Sequence, residues 1–238
     1  MRSGFLRTSD DQGRAVSACS SIYEEGALRE VTGVAIRPGG LTLTDRAIGA
    51  CGFIPAAELL DVGCGAGATV EHLCSSYGFI ARGVDISLKL IAEGLGRTPS
   101  LSLTEAAAES LPFAAESMDG ILCECVLSLL EEPLAGVLEF QRVLRGGGYL
   151  ILSDMYNREP ADDSRNGAVP RRQLEAWLFE CGFTPLFWED HSRLLRELAA
   201  RLILAHGTLD GWCCVTDKAG IRPGYYLLVA RKNDTENH

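Results

Sequence analysis

No stretch of this sequence approaches the ~20 continuous apolar residues that cross a bilayer, so a membrane-spanning helix is not expected. The opening residues, MRSGFLRTSDDQGRAV, carry early arginines with no apolar run behind them and do not read as a secretory leader. Positive charge is also short: 22 Lys and Arg stand against 32 Asp and Glu, for a net charge of −10. Such a balance repels a phosphate backbone, and no local basic patch offsets it, so no nucleic-acid partner is expected. Paired C-x-x-C spacing is missing despite nine cysteines: Cys123 and Cys125 form C-x-C, and Cys213 and Cys214 are adjacent. Neither spacing is a zinc motif by itself. The odd cysteine count and the missing leader point to reduced thiols and a cytoplasmic location. Internal repeats and low-complexity tracts are absent too. What remains is 238 residues, 47% of them hydrophobic, enough for one sizeable core without disulfide staples.

Periodicity and punctuation then predict the elements. A short helix is expected around Ile22 to Val31, followed by a turn at Arg37-Pro38-Gly39-Gly40. Thr42 with Asp45 three residues on reads as a capping box for a helix to Cys51. From Glu58 onward strands and helices alternate: strand 58–62, helix 68–77, strand 79–85, a Ser87-capped helix to Leu95, and strands 101–106 and 119–126. Pro133 suits the first turn of a helix to Leu144, and Gly146-Gly147-Gly148 is expected to end it before strand 149–154. A helix 170–181, a strand 183–189, a long helix 192–206 and a strand 225–231 complete the chain. The alternation implies right-handed βαβ units and a parallel sheet covered on both faces. The expected division is an N-terminal extension over 1–52, a main domain over 53–232 with a helical insertion near 191–224, and a tail over 233–238.

The chemistry concentrates where the first strand ends, in DVGCGAG, Asp61 to Gly67. Glycines at 63, 65 and 67 let the backbone turn tightly and approach a ligand, and the following helix offers free N–H groups to an anion. By spacing alone the loop also satisfies the dinucleotide pattern G-x-G-x-x-G/A through Gly63, Gly65 and Ala68. Asp85, 20 residues after Gly65, ends the second strand, where a carboxylate accepts ribose hydroxyls in either kind of site. Three details separate the two. Asp61 would repel a pyrophosphate but welcome an amino group such as methionine's α-ammonium. An acidic loop AAAESLPF, Ala106 to Phe113, follows the third strand, where an adenine edge would lie. The last strands are separated by one helix and offer no second mononucleotide-binding half.

These residues resemble the class I S-adenosylmethionine-dependent methyltransferases, firmly over Glu58 to Asp154 and more loosely over Gln173 to Glu189 and Tyr225 to Arg231. SLPF followed by SMDGIL, and LRGGGYLIL leading into the fifth strand, match the same family, and the R-P-G-G-L segment with C-E-C-V-L-S is similar to one bacterial methyltransferase group. The resemblance implies a Rossmann-like α/β fold with strand order 3-2-1-4-5-7-6 and the seventh strand antiparallel. It also implies S-adenosylmethionine as cofactor and S-adenosylhomocysteine as product. Asp61 would sit near the amino group, Gly63, Cys64, Gly65 and Gly67 along the cofactor, Asp85 and Ile86 at the ribose, Ala108 and Glu109 near adenine, and Cys125 beside them. One departure is Ala107, where many relatives carry an Asp for the adenine amino group.

Methyl transfer from a sulfonium is an in-line displacement that needs orientation and desolvation more than a fixed catalytic group. The sequence accordingly names no base outright. Glu124, Tyr156, His191 and His206 are the candidates. Cys123 and Cys125, at i and i+2 of one strand, are expected to share a face, and Cys125 with Cys213 and Cys214 is a candidate thiolate cluster for a metalloid such as arsenite. Against that stands burial, the commonest fate of a cysteine. The expectation is a methyltransferase acting on a small-molecule acceptor. A metalloid or thiol methyltransferase, a non-catalytic S-adenosylmethionine-binding protein and an NAD(P)-binding oxidoreductase remain as alternatives.

Overall fold

The computed structural model describes residues 23–24, 27–157, 168–207 and 223–234. Two helices lead in, α1 (Ala27–Thr32) and α2 (Gly40–Ile48). The alternating part runs β1 (Glu58–Val62), α3 (Ala68–Tyr77), β2 (Ile80–Asp85), α4 (Leu88–Arg97), β3 (Leu103–Glu105), β4 (Met118–Glu124), α5 (Pro133–Val143) and β5 (Leu144–Asn157). It closes with α6 (Arg171–Glu180), β6 (Phe183–Asp190), α7 (Ser192–His206) and β7 (Pro223–Lys232).

The strands form one sheet in the order β3-β2-β1-β4-β5-β7-β6. β7 runs antiparallel to both β5 and β6, and the other pairings are parallel. Consecutive residues of a strand point to opposite faces, which divides the core in two. Leu60, Ile121, Leu150 and Leu228 face Val137, Phe140 and Leu174 of α5 and α6. Leu59, Leu122, Ile151 and Leu227 face Leu43, Val70, Leu73 and the Leu195–Leu198–Leu202 stripe of α2, α3 and α7. This is the near-continuous apolar patterning of strands covered on both sides. The chain leaves β1 toward β2 and β3, then returns to β4 on the other side. The crevice above the carboxyl ends of β1 and β4 is therefore the switch point where such sheets hold ligands.

Three local expectations are corrected. α2 begins at Gly40, with Gly39 as its N-cap and no side-chain cap bond, so Thr42 lies inside the helix. The Pro-Gly-Gly turn starts the helix early, and the Asp45 carboxylate bonds instead to His72 Nε2 and Tyr77 Oη. The glycine run does not separate helix from strand: β5 begins at Leu144 and passes through it, with an irregular register opposite Met118 to Gly120. Cys123 and Cys125 do not share a face. The strand stops at Glu124, and Cys125 takes a φ of 60°, which turns its thiol to the α7 side while Cys123 stays on the α5 side.

Candidate functional site

At the end of β1 the glycine loop folds against β2. The amides of Gly63 and Cys64 donate to Val84 O at 2.8 and 2.9 Å. Gly65 N donates to Asp85 Oδ2 at 2.8 Å, and Ser87 N donates to Asp85 Oδ1 at the same distance. Gly63 has a φ of 73°, and a Cβ there would lie 2.1 Å from Val126 Cγ2. Gly65 has a φ of 53°, and its missing Cβ would meet only Leu90, at 3.8 Å. The loop is thus closed on the β4 side and bare at Gly65, leaving backbone where a ligand can lie flat against it. Gly67 caps α3, and Cys64 is buried, its thiol pushed up chiefly by that burial. Burial also lifts the Asp85 carboxyl above its ordinary range, against the amides of Ser87 and Gly65 that favour its charge.

Beneath the loop lies a buried polar cluster. Asp61, on β1, is 3% exposed, and burial followed by the nearby Glu124 pushes its carboxyl well above the usual aspartate range, opposed by Arg37. The Arg37 side chain, 9% exposed, reaches Glu124 Oε2 at 2.8 Å. Its Nη2 donates to Thr44 Oγ1 on α2 at 2.6 Å and to Thr69 Oγ1 on α3 at 3.0 Å. Thr44 in turn donates to both Glu124 oxygens at 3.1 and 3.2 Å. Burial works against the Arg37 charge, yet Glu124 and Asp61 together hold its pKa above the usual arginine value. Glu124 is raised by burial, with Arg37 opposing. Ser153, Tyr225 and Cys125 extend the cluster: Ser153 Oγ donates to Glu124 Oε1 at 3.5 Å, and Tyr225 Oη lies 3.2 Å from Ser153 Oγ and 3.1 Å from Cys125 Sγ.

Beside this cluster lies a narrow, half-open cleft. Leu28, Ile36, Pro38, Leu195 and Leu198 form apolar walls, and Arg37, Cys125 and Tyr225 are among its polar lining. Asp154 also lines it, with its carboxylate accepting from Ser128 N, Ser128 Oγ and Met155 N.

Of the residues singled out by sequence, Asp61, Gly63, Cys64, Gly65, Asp85 and Cys125 gather around the β1–β4 crevice. Ala108 is buried in the α5-side core, Ile86 is exposed beyond β2, and Glu109 is half-buried after β3. The four base candidates do not converge. Glu124 is committed to Arg37, Tyr156 packs edge-on against Trp188 and Tyr226, His191 Nε2 sits 2.9 Å from Glu189, and His206 lies 3.5 Å from Glu30 at the end of α7. Cys213 and Cys214 lie outside the described residues, and no metal-binding group of three or more His, Cys, Asp or Glu occurs among those described. Sequence reasoning did not name Arg37 as a site residue. An arginine before Pro-Gly-Gly reads as a turn, and the signals to the contrary were the R-P-G-G-L resemblance and the apolar Val34-Ala35-Ile36 ahead of it.

Comparison with known proteins agrees with this fold. Residues 60–152 match the family described as a methyltransferase domain. An uncharacterized protein of Haemophilus influenzae is 32% identical over 197 residues, 79% of this chain and 67% of its own length. A demethylmenaquinone methyltransferase of Renibacterium salmoninarum is 30% identical over 107 residues, so the match spans only 45% of either protein. Among solved structures, the 4+2 cyclase SpnF superposes with a TM-score of 0.76 at 26% identity, covering 98% of this chain and all of that one. Phosphoethanolamine N-methyltransferase 2 of Haemonchus contortus, in complex with S-adenosylmethionine, reaches 0.75 at 16% identity, covering 98% of this chain and 62% of the other. That last likeness speaks for the fold alone.

Proposed function

The chain belongs to the class I S-adenosylmethionine-dependent methyltransferases, and from that premise we propose that it methylates a small, largely apolar acceptor held between α1, α7 and the ends of β4 and β5. The observation that carries the proposal is the narrow cleft beside Arg37 and Cys125, with apolar walls from Leu28, Ile36, Pro38, Leu195 and Leu198 and a polar lining that includes Arg37, Ser128, Asp154 and Tyr225. Pockets for small molecules have this composition: apolar walls with a few polar groups that fix orientation.

S-adenosylmethionine supplies a methyl group on a positively charged sulfur, which leaves with the S–CH₃ bonding pair retained by sulfur. The protein's part is to hold and orient. Asp61 takes the α-ammonium, Gly63, Cys64, Gly65 and Gly67 present backbone, and Asp85 with Ile86 holds the ribose. Adenine lies by Ala108 and Glu109, with Ala107 contributing no carboxylate. Cys125, at the mouth of the crevice, borders both cofactor and acceptor. Because Glu124, Tyr156, His191 and His206 all have other partners, orientation and water exclusion in the apolar pocket support the reaction more than a dedicated base does.

The test combines calorimetry with S-adenosylmethionine, S-adenosylhomocysteine and NAD and an assay for S-adenosylhomocysteine release. The assay would use small aromatic alcohols, amines, thiols and arsenite in turn. Binding of the two adenosyl ligands and turnover of an apolar hydroxyl, amine or thiol is expected. Turnover confined to strongly charged acceptors would overturn the pocket reading. The likeness to a cyclase supports a second reading, in which the same pocket promotes ring closure; it predicts tight adenosyl binding with no S-adenosylhomocysteine formed from any acceptor.

Asp85→Ala is expected to weaken S-adenosylmethionine and S-adenosylhomocysteine by similar factors, roughly tenfold, because both carry the same ribose. Calorimetry on both ligands checks it. A loss confined to one of them would remove Asp85 from the ribose.

A further inference from the structure

We infer that Ser128 and Asp154 form the proton-accepting end of the acceptor cleft: Ser128 Oγ receives the O–H or N–H of the methyl acceptor, and Asp154 takes the proton through it. The inference rests on the acceptor cleft proposed above. It gives the proton a destination that Glu124, Tyr156, His191 and His206 do not provide, while orientation remains the larger part of the reaction.

Hydrogen bonding fixes the direction. Ser128 Oγ donates to Asp154 Oδ1 at 2.7 Å, and Ser128 N donates to Asp154 Oδ2 at 2.8 Å. Met155 N also donates to Oδ1, at 2.7 Å. A serine hydroxyl has one proton, and here the carboxylate holds it. The Ser128 oxygen keeps only lone pairs, so it can accept from a ligand but not donate to one. Ser128 is half-buried, Asp154 is buried, and both line the cleft. The placement is built by the chain itself. β4 stops at Glu124, Cys125 takes a φ of 60°, and a short 3-10 turn, Leu127–Leu129, follows with Ser128 against Asp154 of β5. A left-handed residue other than glycine is strained, and such strain gathers where a site needs its groups held in place.

Charge accounting gives independent support. Attack by an acceptor oxygen forms the O–CH₃ bond while the S–CH₃ bonding pair stays on sulfur. The acceptor's proton passes to Ser128 Oγ as the Ser128 proton passes to Asp154 Oδ1. A sulfonium and a carboxylate thereby become a thioether and a carboxylic acid, so the step creates no net charge in a buried setting, where an unpaired charge is costly. The acid returns its proton to solvent when the products leave. Burial lifts the Asp154 carboxyl above its ordinary range, against the Ser128 and Met155 donors that favour its charge. Such a carboxylate is a better proton acceptor than one in water.

A purely structural pair, stapling the turn to β5, makes a different prediction, and three probes separate the two. Phenol brings an O–H, thiophenol is a thiolate at mildly alkaline pH with no proton to give, and anisole keeps the ring but blocks the donor. Ser128→Ala retains the backbone bond from residue 128 to Asp154, so the turn stays attached. With S-adenosylmethionine, Ser128→Ala and Asp154→Asn should each lower kcat/KM for phenol by about a hundredfold and for thiophenol by less than about twofold. Ser128→Thr, which keeps the hydroxyl, should restore most of the phenol rate. Binding supplies a readout without turnover: in calorimetry with S-adenosylhomocysteine present, Ser128→Ala should weaken phenol about fivefold and leave anisole nearly unchanged. Equal losses on phenol and thiophenol, or on phenol and anisole, would overturn the inference in favour of the staple. Wild-type protein that neither binds nor methylates phenol or thiophenol would instead overturn the acceptor cleft on which it rests.

Discussion

Glu124→Ala should destabilise the protein by about 1–3 kcal/mol, read as a drop in the urea midpoint at neutral pH with an unchanged slope. The pair it forms with Arg37 is buried on both sides, with side-chain exposures of 1% and 9%. Removing the carboxylate leaves a guanidinium charge in that setting and strips Thr44 of its acceptor. Asp61 remains near the guanidinium to compensate part of its charge, so the loss comes chiefly from buried donors on Arg37 and Thr44 left without their acceptor. The double variant Arg37→Met/Glu124→Ala, which removes both charges, should for that reason be more stable than Glu124→Ala alone. A loss below about 1 kcal/mol for Glu124→Ala would mean that Arg37 escapes to solvent, and the buried cluster would not exist as described.

The sheet was legible because its evidence is local and repeated. Apolar strands of five to seven residues, such as Glu58–Val62 and Met118–Glu124, alternate with helices opened by Ser87 or Pro133, and the order of the seven strands came through the family resemblance to DVGCGAG and its neighbours. The positions of Asp61 and Asp85 at strand ends follow from the same periodicity. What stayed hidden depends on contacts between distant segments. Arg37 meets Glu124 across 87 residues of chain, and no local periodicity places one against the other. Cys125 was misplaced because period-2 reasoning assumes that the strand continues, whereas a single left-handed residue carries the thiol to the opposite face, against Tyr225. The capping box failed for a related reason: Thr42 and Asp45 had the right spacing, but a glycine turn had already begun the helix.

Asp61→Asn should act in opposite directions on binding and on stability. In the proposed placement the aspartate would pair with the α-ammonium in a buried setting, and losing one side of that pair should weaken S-adenosylmethionine and S-adenosylhomocysteine by about 3 kcal/mol, roughly a hundredfold. Without ligand the same carboxylate is a burden. Burial, then Glu124, raises its pKa well above the ordinary aspartate value, with Arg37 only partly opposing. A group whose folded pKa exceeds its unfolded one contributes stability below the unfolded pKa and loses that contribution as pH rises through the folded value. At neutral pH the ligand-free protein therefore carries Asp61 at a disadvantage that asparagine does not share. Ligand-free Asp61→Asn should melt higher than wild type at neutral pH, and the gap should close as pH falls through the raised carboxyl range. Saturating S-adenosylhomocysteine should then reverse the order, because wild type gains more from binding. Melting curves at two pH values, with and without ligand, read all of this. If the variant melts lower than wild type at neutral pH without ligand, Asp61 is a structural acid held by Arg37, and the ammonium must be received elsewhere.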